Sequence, residues 1–121
     1  MTYMFDVVFI HAPSVYDFRK LKRVHYGPIS DVVPSTPVFD MYPYGFFSLA
    51  TYLELNGFKT GIFNIAARMV NNPRLDVVKL LKNIKANVYA IDIHWLVHAH
   101  GSIEIAKLIK DMHRKPVIVG G

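Results

Sequence analysis

The chain contains no cysteine. Disulfides, a thiolate nucleophile, a cysteine-ligated zinc and an iron–sulfur cluster held by these residues are therefore excluded. No run of about 18 uncharged apolar residues occurs, so no membrane-crossing helix is expected. The opening MTYMFDVVFIH lacks the basic start and small-residue cleavage site of a secretory signal. It reads instead as a strand, and a cytoplasmic location is the expectation. No Gly-x-Gly-x-x-Gly follows that strand and no Walker A loop is present, which leaves a dinucleotide or P-loop site without sequence support. The absence of an acidic cluster after the strand argues against a phospho-receiver domain.

Acidic residues are the scarcer charge: 9 against 14 lysines and arginines, for a net charge of +5. The positive residues are spread over three groups, Arg19 to Arg23, Lys79 to Lys85 and Lys107 to Lys115. The second and third fall on the polar faces of predicted helices, so the charge reads as solvated helix surface. Nucleic acid is not expected as a partner. An acidic partner, a phosphate-bearing ligand or RNA against a basic face are the lesser readings.

What the chain does have is a 52% hydrophobic content over 121 residues, enough for one core and one domain, residues 1–121. The organising stretch is Pro43 to Asn64. Pro43 suits a helix entry, where its missing N–H costs nothing. Phe46, Leu49, Ala50 and Leu53 recur at helical spacing and predict one apolar face. Gly57 follows as a left-handed cap, and Phe58 to Asn64 reads as a strand. Tyr3 to Ile10 is a near-continuous β-prone run of the kind buried on both faces in a parallel sheet. Residues 14–42 form a long rim loop, with Val15, Phe18 and Leu21 suited to a short helix after Ser14. Its prolines oppose regular structure, and its apolar content predicts packing against the rim, a ligand or a missing domain. Ala66 to Pro73 reads as a connection, Arg74 to Lys85 as a helix, Val88 to Ile93 as a strand, Gly101 to His113 as a helix and Pro116 to Val119 as a last strand.

Strict alternation of strand and helix predicts a three-layer α/β/α fold, flavodoxin-like or Rossmann-like, with a parallel sheet in the order 2-1-3-4. The abrupt Gly120-Gly121 ending suggests truncation before a fifth βα unit, that is, an N-terminal fragment of a longer protein. Ligands of such sheets bind beyond the carboxyl ends of the strands, where strand order reverses. The segments reaching that crevice are His11 to Ser14, Pro43 with Gly45, His94 to Gly101, and Gly120-Gly121. His94, His98 and His100 could share a metal if helical, line the rim, or be surface histidines. No carboxylate nearby completes a zinc triad. Trp95 suits either the core or a flat contact with a ring system.

These rim residues resemble a known family. Pro43-Tyr44-Gly45, Leu49-Ala50, Leu53 and Gly57-Phe58 resemble the P-x-G-x-x-x-L-A-x-x-L-x-x-x-G-[FY] pattern of the B12-binding domains at the N-terminus of cobalamin-dependent radical SAM proteins. His11-Ala12-Pro13-Ser14 sits where that family has N-P-P-[S]. Ile105 to Lys110 followed by Pro116 to Gly121 looks like its A-x-x-I-K…P-V-[IV]-x-G-G. The likeness covers almost the whole chain apart from the long loop.

The resemblance implies a module that binds cobalamin across the strand ends and presents it to a downstream radical SAM domain in cis, for methyl transfer. The implied cofactor-binding positions are His11, Pro13, Ser14, Pro43, Gly45, His94, Trp95, Gly101, Gly120 and Gly121. It implies no catalytic residue in this chain. S-adenosylmethionine and a [4Fe-4S] cluster would belong to the downstream domain alone, since the C-x-x-x-C-x-x-C motif cannot occur here. The D-x-H-x-x-G signature of other cobalamin proteins is absent: Asp92-Ile93-His94 begins like it, but Val97 replaces the glycine. His11 and His94 stand as candidate cobalt ligands. The alternative is a degenerate Rossmann-like interaction or lid domain that has lost its cofactor.

Overall fold

The computed structural model describes residues 3–20, 44–93 and 99–121. Four strands form one sheet: β1 (Tyr3–His11), β2 (Thr60–Asn64), β3 (Ile84–Asp92) and β4 (Val117–Gly120). All neighbours are parallel and the order is β2-β1-β3-β4, the order expected from the alternation. Helix α1 (Tyr44–Leu55) lies between β1 and β2 in the chain. Two short helices, α2 (Ile65–Asn71) and α3 (Val77–Asn83), precede β3, and α4 (Ala99–His113) precedes β4.

The sheet separates two apolar layers. On one side Val8 and Ile10 of β1 and Tyr89 and Ile91 of β3 pack with Ile65 and Met69, Val77 and Leu81, and Ile105 and Ile109 of α2, α3 and α4. On the other, Phe9 packs with Phe46 and Ala50 of α1, backed by Leu53, Ile62 and Ala90. Parallel strands are hydrophobic on both faces because helices cover both, which explains why Tyr3 to Ile10 reads as a continuous run. In β3 the alternation slips: Ile84 and Ala86 share a layer with Tyr89 and Ile91. At the slip the Tyr89 hydroxyl accepts from Ala86 N–H at 3.2 Å and donates to the Ile84 carbonyl at 2.8 Å.

Helix ends follow their sequence signals. Gly57 takes φ +88. Its N–H donates to the Glu54 carbonyl at 3.1 Å, and Phe58 N–H to Leu53 at 3.1 Å, the double bond of a Schellman cap. Of the four apolar positions expected on α1, Phe46 and Ala50 are buried and Leu53 half-buried, while Leu49 is exposed. Asp76 caps α3 by accepting from Lys79 N–H at 3.0 Å.

Three boundaries differ from the sequence expectation. Ala66 to Pro73 is mostly helix: Asn64 caps it, accepting from Ala67 N–H at 2.9 Å, and Ile65, Ala66 and Met69 are buried. The segment expected as one helix from Arg74 to Lys85 is helical only over Val77–Asn83, because Ile84 is extended and opens β3. After Ser14 there is only a 3₁₀ turn, Phe18–Lys20, with Phe18 buried; Leu21 lies outside the described residues. Most of the 14–42 loop lies there too.

Candidate functional site

Strand order reverses between β1 and β3, so the C-terminal ends of these two strands define the rim where a crevice opens. By alternation His11 shares the face of Phe9, and Asp92 that of Ala90, so both side chains lie on the α1 side. There His11 Nδ1 and Asp92 Oδ2 meet at 2.7 Å, with the residues only 5% and 4% exposed. A bond this short between groups withdrawn from water is charge-assisted and ties the two central strands together at the rim.

The loop after β1 is fastened to the first turn of α4. Gly101 N–H donates to the Ser14 carbonyl at 2.8 Å, and Tyr16 N–H donates to His100 Nδ1 at 3.3 Å. A methyl group at Gly101 would overlap the Pro13 carbonyl oxygen and lie 2.7 Å from its carbonyl carbon. Only glycine lets the loop and helix approach so closely. Ser102 Oγ donates to the Asp92 carbonyl at 2.7 Å, fixing the end of β3 to the same helix.

Further out, Arg19 grips Asp17 in a fork, Nε to Oδ1 at 2.8 Å and Nη2 to Oδ2 at 2.6 Å. Its Nη1 donates to the carbonyls of Pro73 and Leu75. The Arg19 hydrogen bonds hold the Asp17 carboxyl below its usual range, against the opposing effect of burial. Burial, and then the Asp17 charge, push the Tyr16 hydroxyl up.

Of the residues singled out from sequence, Pro13, Ser14 and Gly101 come together in one buried junction, and His11 is buried with Asp92 at the neighbouring strand ends. Gly120 ends β4 beside it, its carbonyl accepting from Ile93 N–H at 2.8 Å, and Gly121 follows, exposed. Gly45 stands in the first turn of α1, next to Phe46, whose ring is 5.0 Å from that of Phe9. At Gly45 and Gly120 an added methyl would meet nothing within 4 Å among the described residues, whereas Gly101 is pressed against the chain's own Pro13. Pro43, His94 and Trp95 lie outside the described residues.

Two contributors were not singled out. Asp92 lies at the end of an apolar strand, where a carboxylate calls for a partner. Asn64 ends β2 opposite His11 in register. Its Oδ1 caps α2, while its buried Nδ2 has no hydrogen-bond partner among the described residues. A buried donor left so costs about 1–3 kcal/mol and asks for an explanation. Among the described residues no three of His, Cys, Asp and Glu gather as a metal site. No helix there is long and apolar enough to cross a membrane.

The family model of the B12 binding domain matches residues 31–121, three quarters of the chain. The chain belongs to the B12-binding domain family. Comparisons with curated proteins and with solved structures give no match. Membership of this family supports cobalamin as a cofactor. The B12-binding domain here offers the group three fitting features: open glycine backbone at Gly45 and Gly120, the unused Asn64 donor, and a rigid floor braced by His11 and Asp92.

Proposed function

We propose that this domain seats cobalamin across the C-terminal rim and presents it to a radical SAM domain of the same protein, for methyl transfer. The observation that carries the reading is the match to the B12 binding domain over residues 31–121, joined to an open glycine rim at the switch point. In this reading Gly45 and Gly120 admit the edge of a broad ring against backbone. Asn64 Nδ2 donates to a peripheral amide oxygen. Phe9 and Phe46, their rings 5.0 Å apart and tilted by 42°, keep the floor apolar. Cobalamin, when bound, supplies a cobalt centre able to carry the transferred group.

We read His11 as a brace: its Nδ1 meets Asp92 and its ring is buried among the strand ends, which leaves Nε2 as the nitrogen through which it would bind cobalt. No residue of this chain is assigned a catalytic step. A fifth βα unit fits the uncovered edge strand: on β4, Ile118 is 59% and Val119 42% exposed.

The test uses the purified chain and hydroxocobalamin, with the visible spectrum followed through a desalting column. Retained pigment is expected, and Gly45→Val is expected to release it without changing the far-UV circular dichroism. Passage of all pigment as free cofactor from a folded sample refutes the binding. Sequencing the reading frame beyond Gly121 tests the radical SAM partner: a cysteine triad there supports it, and a frame without one refutes it.

A further inference from the structure

On the other face of the sheet from His11 and Asp92, beside edge strand β2, lies a cavity of about 560 Å³. It is lined by Phe5, Phe63, Leu80, Ile84, Asn83 and two cations, Lys59 and Arg68. The floor is aromatic: Phe5 and Phe63 meet edge to face, centroids 5.9 Å apart at 77°. Gly61 shapes this floor. A methyl there would lie 2.8 Å from the Phe5 ring, so glycine lets that ring lie across β2.

The charges stand over the rings. Lys59 Nζ is 5.7 Å from the Phe5 centroid, and Arg68 Cζ is 5.3 Å from that of Phe63. Among the described residues neither cation has a carboxylate partner. Covering an apolar surface with a charged stem is common. Two unneutralised cations converging on one apolar hollow with a single side-chain amide are a more selective arrangement. The volume lies within the range of small-molecule sites, and the mix of apolar wall with few placed polar groups is theirs as well.

We infer that this cavity binds a small aromatic carboxylate, its ring against Phe5, Phe63 and Leu80 and its acid group at Arg68 and Lys59. The guanidinium suits a carboxylate fork, and the rings favour a flat body over an aliphatic one. Neither feature involves the cobalamin rim, so this site stands or falls separately.

The experiment titrates the full chain, without cobalamin, with 2-naphthoate, 2-naphthalenemethanol and 2-naphthyl phosphate, following the methyl resonances of Leu80 and Ile84 by NMR. The naphthoate is expected to shift both methyls and to bind about tenfold tighter than the neutral alcohol, the ratio that about 1.4 kcal/mol produces. Arg68→Gln together with Lys59→Gln removes that preference. Both side chains are exposed, so the melting temperature of the double variant holds. Leu80→Phe, which fills the hollow, weakens all three probes. Equal binding of acid and alcohol, tighter binding of the phosphate, an unchanged preference in the double variant, or no methyl shift at millimolar probe overturns the assignment.

Discussion

Replacing Gly101 by alanine tests how the rim is built. The new methyl would occupy the place of the Pro13 carbonyl oxygen, with Pro13 and Ser14 backbone carbons 2.7 and 3.1 Å away. These are backbone atoms in a buried loop, so they cannot swing aside as a side-chain tip would. Overpacking of this kind costs about 1–3 kcal/mol. Relief requires α4 to withdraw from the loop, which breaks the Gly101 N–H bond to Ser14 and strands two buried groups, about 1 kcal/mol more. Alanine returns at most about 1 kcal/mol of helix propensity. With the full propensity gain returned, the net loss is about 1–3 kcal/mol. At an unfolding entropy of about 2.1 cal/mol/K per residue, that lowers the melting temperature by about 4–12 °C. Thermal and urea unfolding followed at 222 nm measure it. Gly45→Ala is the control: among the described residues nothing lies within 4 Å of its methyl, so it is expected to leave stability unchanged or raise it slightly. Equal midpoints for the two variants would refute the close-approach argument.

Removing the imidazole with His11→Ala withdraws a charge-assisted bond from a carboxylate only 4% exposed, and is expected to cost about 2–3 kcal/mol in urea unfolding. With cobalamin bound, nitrogen-15 labelling of histidine should leave the electron paramagnetic spectrum of the reduced cofactor unchanged; an altered hyperfine pattern that is lost in His11→Ala would make His11 a cobalt ligand as well as a brace. Arg114 ends α4 at φ 53, a left-handed conformation that glycine adopts more easily, so Arg114→Gly should stabilise by a few tenths to about 1 kcal/mol in the same assay. Asp17 has its ionisation favoured by Arg19 in the folded chain, so its contribution is present above the unfolded value near pH 4 and is lost as pH falls through the lower folded value. Asp17→Asn is therefore less stable than the parent at pH 7, by about 1 kcal/mol after solvent screening, with the gap closing towards pH 2.

Most of the fold was legible because parallel α/β architecture writes itself in local signals. Apolar runs bounded by glycine and proline marked the four strands, and Gly57 marked a cap that its φ of +88 realises. Alternation and handedness gave a parallel sheet, and its order matches the flavodoxin-like pattern that four such strands fit. What escaped was short. Helix α2 has seven residues, too few for a clear period, and its start rests on one side-chain bond from Asn64. Ile84 satisfies the period of the helix before it and the apolar demand of the strand after it; its extended backbone and its pairing with Tyr3 of β1 decide for the strand.

The rim was legible as a place but not as a set of roles. Sequence position brought His11, Pro13, Ser14 and Gly101 to one edge, yet the partner of His11 comes from 81 residues away. The register that aligns Ile10 with Ile91 is what sets Asp92 beside it. Glycines 45, 101 and 120 look alike in a sequence, each a residue that lets something come near. Two of them meet nothing within 4 Å among the described residues, while the third is pressed against the chain's own Pro13. A glycine in a motif thus marks closeness without saying to what. In the proposed reading Gly101 with His11 and Asp92 stiffens the edge, and Gly45 and Gly120 leave it accessible. A rim that is both stiff and open can hold a rigid macrocycle with little loss of chain entropy on binding.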